Sequence, residues 1–254
     1  DIIWTVPGYT PGRFSRTEVF ELPFTMTNAE AVSRAYWELA EETMMDNDFK
    51  AFKVLGLWVH GPGMIHSKAP ITAIADLNGV KLRAPTRVSN MYFGALGATP
   101  IGMPVPAVPE ALSKGVIDAT VIPWEVTGAL RVPELVRNHT KFGDATLYTT
   151  TFIFAMNKDR YDGLPDDLKA VIDKNSGLEF SAFAGAQMQR DDGPAEQAAI
   201  KMGNNIITLT PAQVDPWRKA AVPVIDSWIK EMDSKGLDGT GLRARAEELI
   251  KKHT

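Results

Sequence analysis

The chain has 254 residues, with 27 Lys and Arg against 31 Asp and Glu, so its formal net charge at pH 7 is −4. Hydrophobic residues make up 44% and charged residues 23%, which suits one large globular domain or two lobes. The acidic balance without a basic run excludes nucleic acid as a partner, and no run of about 18 apolar residues is present that would span a membrane.

The chain contains no cysteine, which excludes several kinds of site and bond. It excludes disulfides, thiolate nucleophiles and Cys-ligated zinc, and it fits an oxidising compartment. The chain starts at Asp1 with neither an initiator Met nor a basic leader with a cleavable apolar segment. We therefore expect that a signal peptide, more of the domain, or both precede it.

Predicted strands and short helices alternate through the first part of the chain. The strands are apolar or alternating runs ended by Pro or Gly, at 1–6, 53–59, 80–84, 117–122 and 147–156. The helices between them lie at 73–78, 89–96 and 109–114, and an earlier helix begins with the capping-box pattern Thr27-x-x-Glu30. This alternation predicts an α/β fold with mostly parallel sheets.

The last third of the chain is predicted to be mainly helical. A helix starts at Pro165 and runs to about Met202, and Gly193-Pro194 must kink or break it because proline removes a backbone donor. Two further helices cover 211–232 and 242–252. No flexible Gly/Ser linker is present, so any connection between lobes is made by ordered strands and helices.

One enzymatic alternative rests on the loop His60-Gly61-Pro62-Gly63, which resembles the oxyanion loop of some esterases. A small α/β hydrolase of that kind needs a serine in a G-x-S-x-G elbow, and no serine here has that frame, so a tight turn is the better interpretation. The four histidines lack metal-ligand spacing, and neither G-x-G-x-x-G nor a Walker A sequence occurs. The sequence thus predicts no metal, no cofactor and no catalysis.

Arg83 is the most informative charged residue. It lies at the end of the predicted strand 80–84, just before Pro85. Ligands of α/β sheets gather at the carboxyl ends of strands, and a guanidinium there can hold a carboxylate through two parallel hydrogen bonds. Its position alone favours an ordinary surface arginine.

Several motifs in order give the chain a resemblance to a known family. They are Tyr9-Thr10-Pro11-Gly12-Arg13-Phe14, Asp76-Leu77-Asn78-Gly79-Val80-Lys81-Leu82-Arg83-Ala84-Pro85, Leu96-Gly97-Ala98-Thr99-Pro100-Ile101-Gly102-Met103-Pro104 and Glu110-Ala111-Leu112-Ser113-Lys114-Gly115-Val116-Ile117-Asp118-Ala119. Together they resemble the substrate-binding proteins of TRAP (tripartite ATP-independent periplasmic) transporters, the DctP family. The resemblance extends over nearly the whole chain.

The resemblance implies a periplasmic protein with a two-lobed, periplasmic-binding-protein-like α/β fold, hinge strands and a long kinked helix. Such proteins close on a small organic acid and deliver it to the membrane subunits of an ion-driven TRAP permease. Arg83 matches the arginine that holds the ligand carboxylate. We expect lobe I to comprise 1–60 plus 148–188, without its N-terminal part, and lobe II to comprise 61–147 plus 189–254.

Two departures from the sialic-acid branch of that family bear on the ligand. That branch has Asn at the position of Ile122 and a second Arg near Gly63, so its substrate is not expected here. The remaining candidate ligand-binding residues are His66, Thr86 and Arg87 as polar contacts and Tyr9, Trp124 and Tyr148 as aromatic ones. Trp124 is favoured to stack on the ligand, because it follows a strand end, and we expect a less polar monocarboxylate, aromatic or branched.

Overall fold

The computed structural model describes residues 1–254, whose strands form two separate sheets. The strands are β1 Ile2–Thr5, β2 Phe52–Val59, β3 Met64–Ser67, β4 Lys81–Ala84, β5 Thr99–Gly102, β6 Ala119–Ile122, β7 Asn138–Lys141, β8 Thr151–Asn157 and β9 Asn205–Thr208. The helices are α1 Ala29–Thr43, α2 Arg87–Ala95, α3 Val108–Ser113, α4 Val132–Leu135, α5 Lys158–Asp162, α6 Asp166–Lys174, α7 Leu178–Lys201, α8 Pro211–Ser234 and α9 Gly239–His253. None of them is both long enough and apolar enough to cross a membrane.

The smaller sheet has three strands in the order β1-β8-β2, and every pairing in it is antiparallel. The central strand β8 and its neighbour β2 are apolar runs because side chains on both of their faces are buried. The register between β2 and β8 shifts between Val54 and Gly56. A Cβ at Gly56 would lie 2.4 Å from the ring of Phe180, so the absent side chain lets α7 cross the sheet closely.

The larger sheet has six strands in the order β5-β4-β6-β3-β7-β9. Strand β4 is parallel to β5 and β6, and β7 is parallel to β9, but β3 is antiparallel to both of its neighbours. Both sheets together are therefore mixed, where the sequence led us to expect mostly parallel pairing. The physical reason is that β2 carries the chain out of the small sheet and β8 brings it back, so these two neighbours must run in opposite directions.

The chain crosses twice between the two sheets. The chain leaves the small sheet after Val59 and enters the large one at Met64, and it returns at Thr151. Strands β1 and β4 lie in different sheets. The C-terminal helix α9 lies against α1, with an ion pair of 2.6 Å between Arg245 and Glu42. The lobe boundaries given above stay a prediction.

Two helix predictions are corrected. The N-cap of α1 is Asn28, whose side chain accepts a hydrogen bond from the Ala31 amide, and not Thr27. The predicted helix from Pro165 to Met202 is two helices, because Gly177 adopts a positive φ of 93° and its amide bonds to the Leu55 carbonyl at 2.8 Å. Pro194 lies inside α7 without interrupting it.

Candidate functional site

A cavity of about 120 Å³ lies between the two sheets, where the strand ends of one face those of the other. Most of its lining is apolar, with a few polar groups, which is typical of a small-molecule site. The lining residues are Trp4, Val6, Tyr9, His60, Arg83, Pro85, Val105, Ile122, Pro123, Glu125, Val126, Tyr148, Thr150, Phe152 and Met188.

Arg83 is the single Lys or Arg in this lining, and its side chain is buried with 1% exposure. Strand β4 positions it at the carboxyl end of the parallel β5-β4-β6 unit. Its Nε donates to the Met103 carbonyl at 2.9 Å and its Nη1 to the Val121 carbonyl at 3.1 Å. Burial lowers the pKa of Arg83, but the ordinary pKa of arginine is so high that the guanidinium stays charged.

No carboxylate of the protein pairs with Arg83. Its third hydrogen bond runs from Nη2 to the Tyr9 hydroxyl, at 3.4 Å. An arginine has five N–H donors, so one N–H on each of Nη1 and Nη2 is left over. A buried cation without a counter-charge is costly, and two N–H groups on the outer nitrogens match the two oxygens of a carboxylate.

Three hydroxyl groups of the same cavity lining carry protons that nothing in the protein accepts. The Tyr9 oxygen accepts hydrogen bonds from Arg83 and from the Val105 amide, at 3.0 Å, so its own proton is free to be donated. The hydroxyls of Tyr148 and Thr150 are buried without any hydrogen-bond partner. Burial raises the pKa of Tyr148 well above its usual range, so this phenol stays a donor.

His60 lies beside Tyr148, with ring centroids 5.6 Å apart, but it carries no charge at neutral pH. Burial lowers its pKa to about 4, the Gly61 carbonyl opposes that shift, and the Arg83 charge adds to it. Its Nδ1 lies 2.5 Å from the Gly61 carbonyl oxygen, which orients the ring. No serine or cysteine lines the cavity beside this imidazole, so the hydrolase alternative finds no nucleophile in the structure either.

Aromatic rings form one wall of the cavity. Phe152 on β8 stacks on Trp58 of β2, with centroids 5.6 Å apart and planes 7° apart. Trp4 on β1 lies against the same Phe152 ring at 5.6 Å and keeps 61% of its surface exposed. A flat, apolar ligand body would find a complementary surface here.

Of the seven side chains predicted from sequence, Arg83, Tyr9 and Tyr148 line the cavity. Thr86 does not, because it begins α2 and its amide bonds to the Ser89 hydroxyl at 3.0 Å. Arg87 does not line it either, because its guanidinium is occupied by Glu18 and by Glu231.

The remaining two, His66 and Trp124, lie behind the cavity wall. His66 is bonded through Nδ1 to His139 at 2.7 Å and through Nε2 to the Ile122 carbonyl at 3.1 Å. The Trp124 ring is fully buried, 5.0 Å from the ring of His66, and packs on Met64 and Ala199. Pro123 and Glu125, on either side of Trp124, line the cavity, whereas the Trp124 ring points into the protein interior. Trp124 is therefore not placed to contact a ligand in this cavity.

Sequence reasoning missed Thr150 and Phe152. Both could have been found from Tyr148, because alternate residues of an extended segment share a face, and positions 148, 150 and 152 all line the cavity.

The model of one protein family, described as bacterial extracellular solute-binding protein, family 7, matches residues 1–231. Among solved structures, a TRAP solute-binding protein from Rhodoferax ferrireducens in complex with copurified benzoate is 48% identical, with a TM-score of 0.98 over 100% of this chain and 79% of that one. A marine metagenome TRAP solute-binding protein specific for aromatic acid ligands, co-crystallised with 3-hydroxybenzoate, is 46% identical, with a TM-score of 0.96 and coverage of 100% and 79%. The outer membrane transporter protein TsaT of Comamonas testosteroni is 27% identical over 94% of this chain and 71% of its own length.

Proposed function

This chain belongs to the bacterial extracellular solute-binding proteins of family 7, and we propose on that premise that its ligand is a small aromatic monocarboxylate. The family binds solutes for transport and is not a family of enzymes, so it does not support the hydrolase alternative. The finer identity of the ligand rests on the cavity.

The buried Arg83 guanidinium is the observation that carries the proposal. Its two spare N–H groups and the free hydroxyl protons of Tyr9, Tyr148 and Thr150 belong to one cavity lining and are available to one carboxylate. Truncating one partner of such a buried, hydrogen-bonded charge pair weakens the binding free energy by about 2–5 kcal/mol. A second carboxylate would find no second Lys or Arg in the lining, which favours a monocarboxylate over a dicarboxylate.

The size and the wall of the cavity support an aromatic ring. An engineered apolar cavity of about 150 Å³ holds benzene, and this cavity of about 120 Å³ is in the same range. Phe152 and Trp4 offer a ring surface for stacking. The two solved relatives above, at 48% and 46% identity, hold benzoate and 3-hydroxybenzoate.

Delivery of the captured acid to a TRAP-type permease, from the periplasm, completes the proposed function. It is supported by the family match and by the TRAP solute-binding proteins to which the chain is similar. Capture requires no cofactor, since an ion pair, hydrogen bonds and exclusion of water suffice to hold the acid.

The test is titration calorimetry of the purified protein, stripped of bound ligand by unfolding and refolding. Benzoate, 3-hydroxybenzoate, cyclohexanecarboxylate, succinate and N-acetylneuraminate are titrated in turn. We expect the two benzoates to bind most tightly, and each to raise the unfolding temperature because it binds only the folded state. Tighter binding of succinate or N-acetylneuraminate than of either benzoate would contradict the proposal.

A further inference from the structure

Glu125 is a cavity-lining acid with no role in holding a carboxylate. It lies on the turn after β6, between Pro123 and Val126, which also line the cavity. Its carboxyl group is half-buried, yet no side chain or backbone amide of the protein donates a hydrogen bond to it, and no Lys, Arg or His pairs with it. A cavity-lining carboxyl without protein partners is available to accept a hydrogen bond from a ligand.

The charged groups that act on Glu125 are other acids. Burial is the largest cause that raises its pKa to about 7, and the remaining causes are Asp192 and Asp191 on α7. The Arg83 guanidinium acts instead on His60 and Tyr148. The cavity lining therefore contains one basic side chain, Arg83, and one carboxylic acid, Glu125, and the hydrogen bonds of Arg83 go to other groups.

The turn that carries Glu125 is held in place. Asp192 Oδ1 accepts a hydrogen bond from the Glu125 amide at 2.8 Å. A Cβ at Gly61 would lie 2.0 Å from Asp192 Oδ2, so the glycine makes room for this clamp. The buried Trp124 ring anchors the preceding residue between β3 and α7. Glu125 is thus a fixed part of the wall.

We propose that Glu125 is a specificity residue that accepts a hydrogen bond from a hydroxyl group on the ring of the bound acid, away from the carboxylate held by Arg83. This inference rests on the proposed function. A carboxyl oxygen accepts such a bond whether or not the group is protonated. A methyl ether at the same ring position has no proton to donate, and a second carboxylate there would meet the Glu125 carboxyl group.

The test compares benzoate with 3-hydroxybenzoate, 4-hydroxybenzoate and their methyl ethers by titration calorimetry. Hydrogen bonds to charged groups change affinity by about tenfold or more, so the wild type should prefer one hydroxybenzoate over benzoate by about tenfold and reject its methyl ether. Glu125→Ala should bind the preferred hydroxybenzoate no more than threefold more tightly than benzoate. Its affinity for benzoate should stay within threefold of the wild-type value. Glu125→Gln, which keeps an oxygen acceptor, should retain most of the preference.

Asp226→Asn, an exposed change on α8, is the matched control and should leave the preference intact. An unchanged hydroxyl preference in a folded Glu125→Ala variant, or no preference in the wild type, would overturn the inference while benzoate still binds. Failure of every aromatic acid to bind the wild type would instead contradict the proposed function. Thermal unfolding of each variant establishes that it is folded.

Discussion

The Tyr9 hydroxyl lies 3.4 Å from Nη2 of Arg83, so a residue that follows β1 of the small sheet bonds directly to a residue of β4 in the large sheet. The same hydroxyl accepts from the Val105 amide at 3.0 Å. The proposed carboxylate-binding position is thus assembled from both sheets, so a change in the separation of the sheets would change the contact between Tyr9 and Arg83.

Tyr9→Phe removes this shared hydroxyl. We expect the affinity for benzoate to fall about five- to tenfold, since a typical hydrogen bond contributes about 1 kcal/mol. Titration calorimetry measures the loss. The matched control is Tyr161→Phe, because the Tyr161 hydroxyl bonds to the exposed Asp173 at 2.7 Å, far from the cavity lining. Wild-type affinity in Tyr9→Phe would argue against a role for its hydroxyl.

Gly63 makes room for one of the cavity walls. A Cβ there would lie 2.1 Å from Cε1 of Tyr148, so Gly63→Ala must displace that ring. We expect about tenfold weaker benzoate binding and a stability loss of about 1–3 kcal/mol from overpacking. Gly128→Ala is the control, because its Cβ would meet no atom within 4 Å. Equal effects of the two changes, measured by calorimetry and urea unfolding, would contradict the packing argument.

Glu21 gives a pH-dependent prediction. Burial is the largest cause that raises its pKa to about 7, against hydrogen bonds from Thr151 at 3.0 and 2.7 Å. Since the pKa is higher in the folded than in the unfolded protein, the folded state binds more protons between about pH 4.5 and 7, and Glu21 costs stability as the pH rises through this window.

Glu21→Gln should therefore gain stability relative to the wild type between pH 5 and pH 8, by up to about 3 kcal/mol. The comparison is made by urea unfolding of both proteins at each pH, because the lowered pKa values of His60 and His66 act with the opposite sign in both. A difference between variant and wild type that does not change with pH would contradict the prediction.

Trp124 and Trp4 should differ in their response to the ligand. Trp4 lines the cavity and Trp124 is packed behind it, so benzoate should change the fluorescence of Trp4. Trp4→Phe should remove most of the benzoate-induced change. Trp124→Phe should keep that change and the affinity while lowering the unfolding temperature. The reverse pattern would return Trp124 to the ligand site.

Arg83 could be proposed as the carboxylate-binding residue from the sequence, because it ends a strand before a proline and the motifs around it match a family. The strands β2 and β8 could also be predicted, because they are apolar runs. Arg87 could not be assigned in this way, because its partners Glu18 and Glu231 lie 69 and 144 residues away along the chain. The inward turn of Trp124 depends on how α7 packs against β3, which no local pattern reveals.

The most direct test of the account is the affinity of benzoate for Arg83→Gln, with Arg83→Lys beside it and the exposed Arg131→Gln as the control. Removing one partner of a buried charge pair weakens the binding free energy by about 2–5 kcal/mol, so benzoate should bind at least about thirtyfold more weakly to Arg83→Gln. Binding to Arg83→Lys should be nearly as weak, because lysine lacks the two parallel N–H groups. Arg131 is 73% exposed, and its replacement should change nothing. Benzoate affinity within twofold of wild type in a folded Arg83→Gln protein would contradict the central claim.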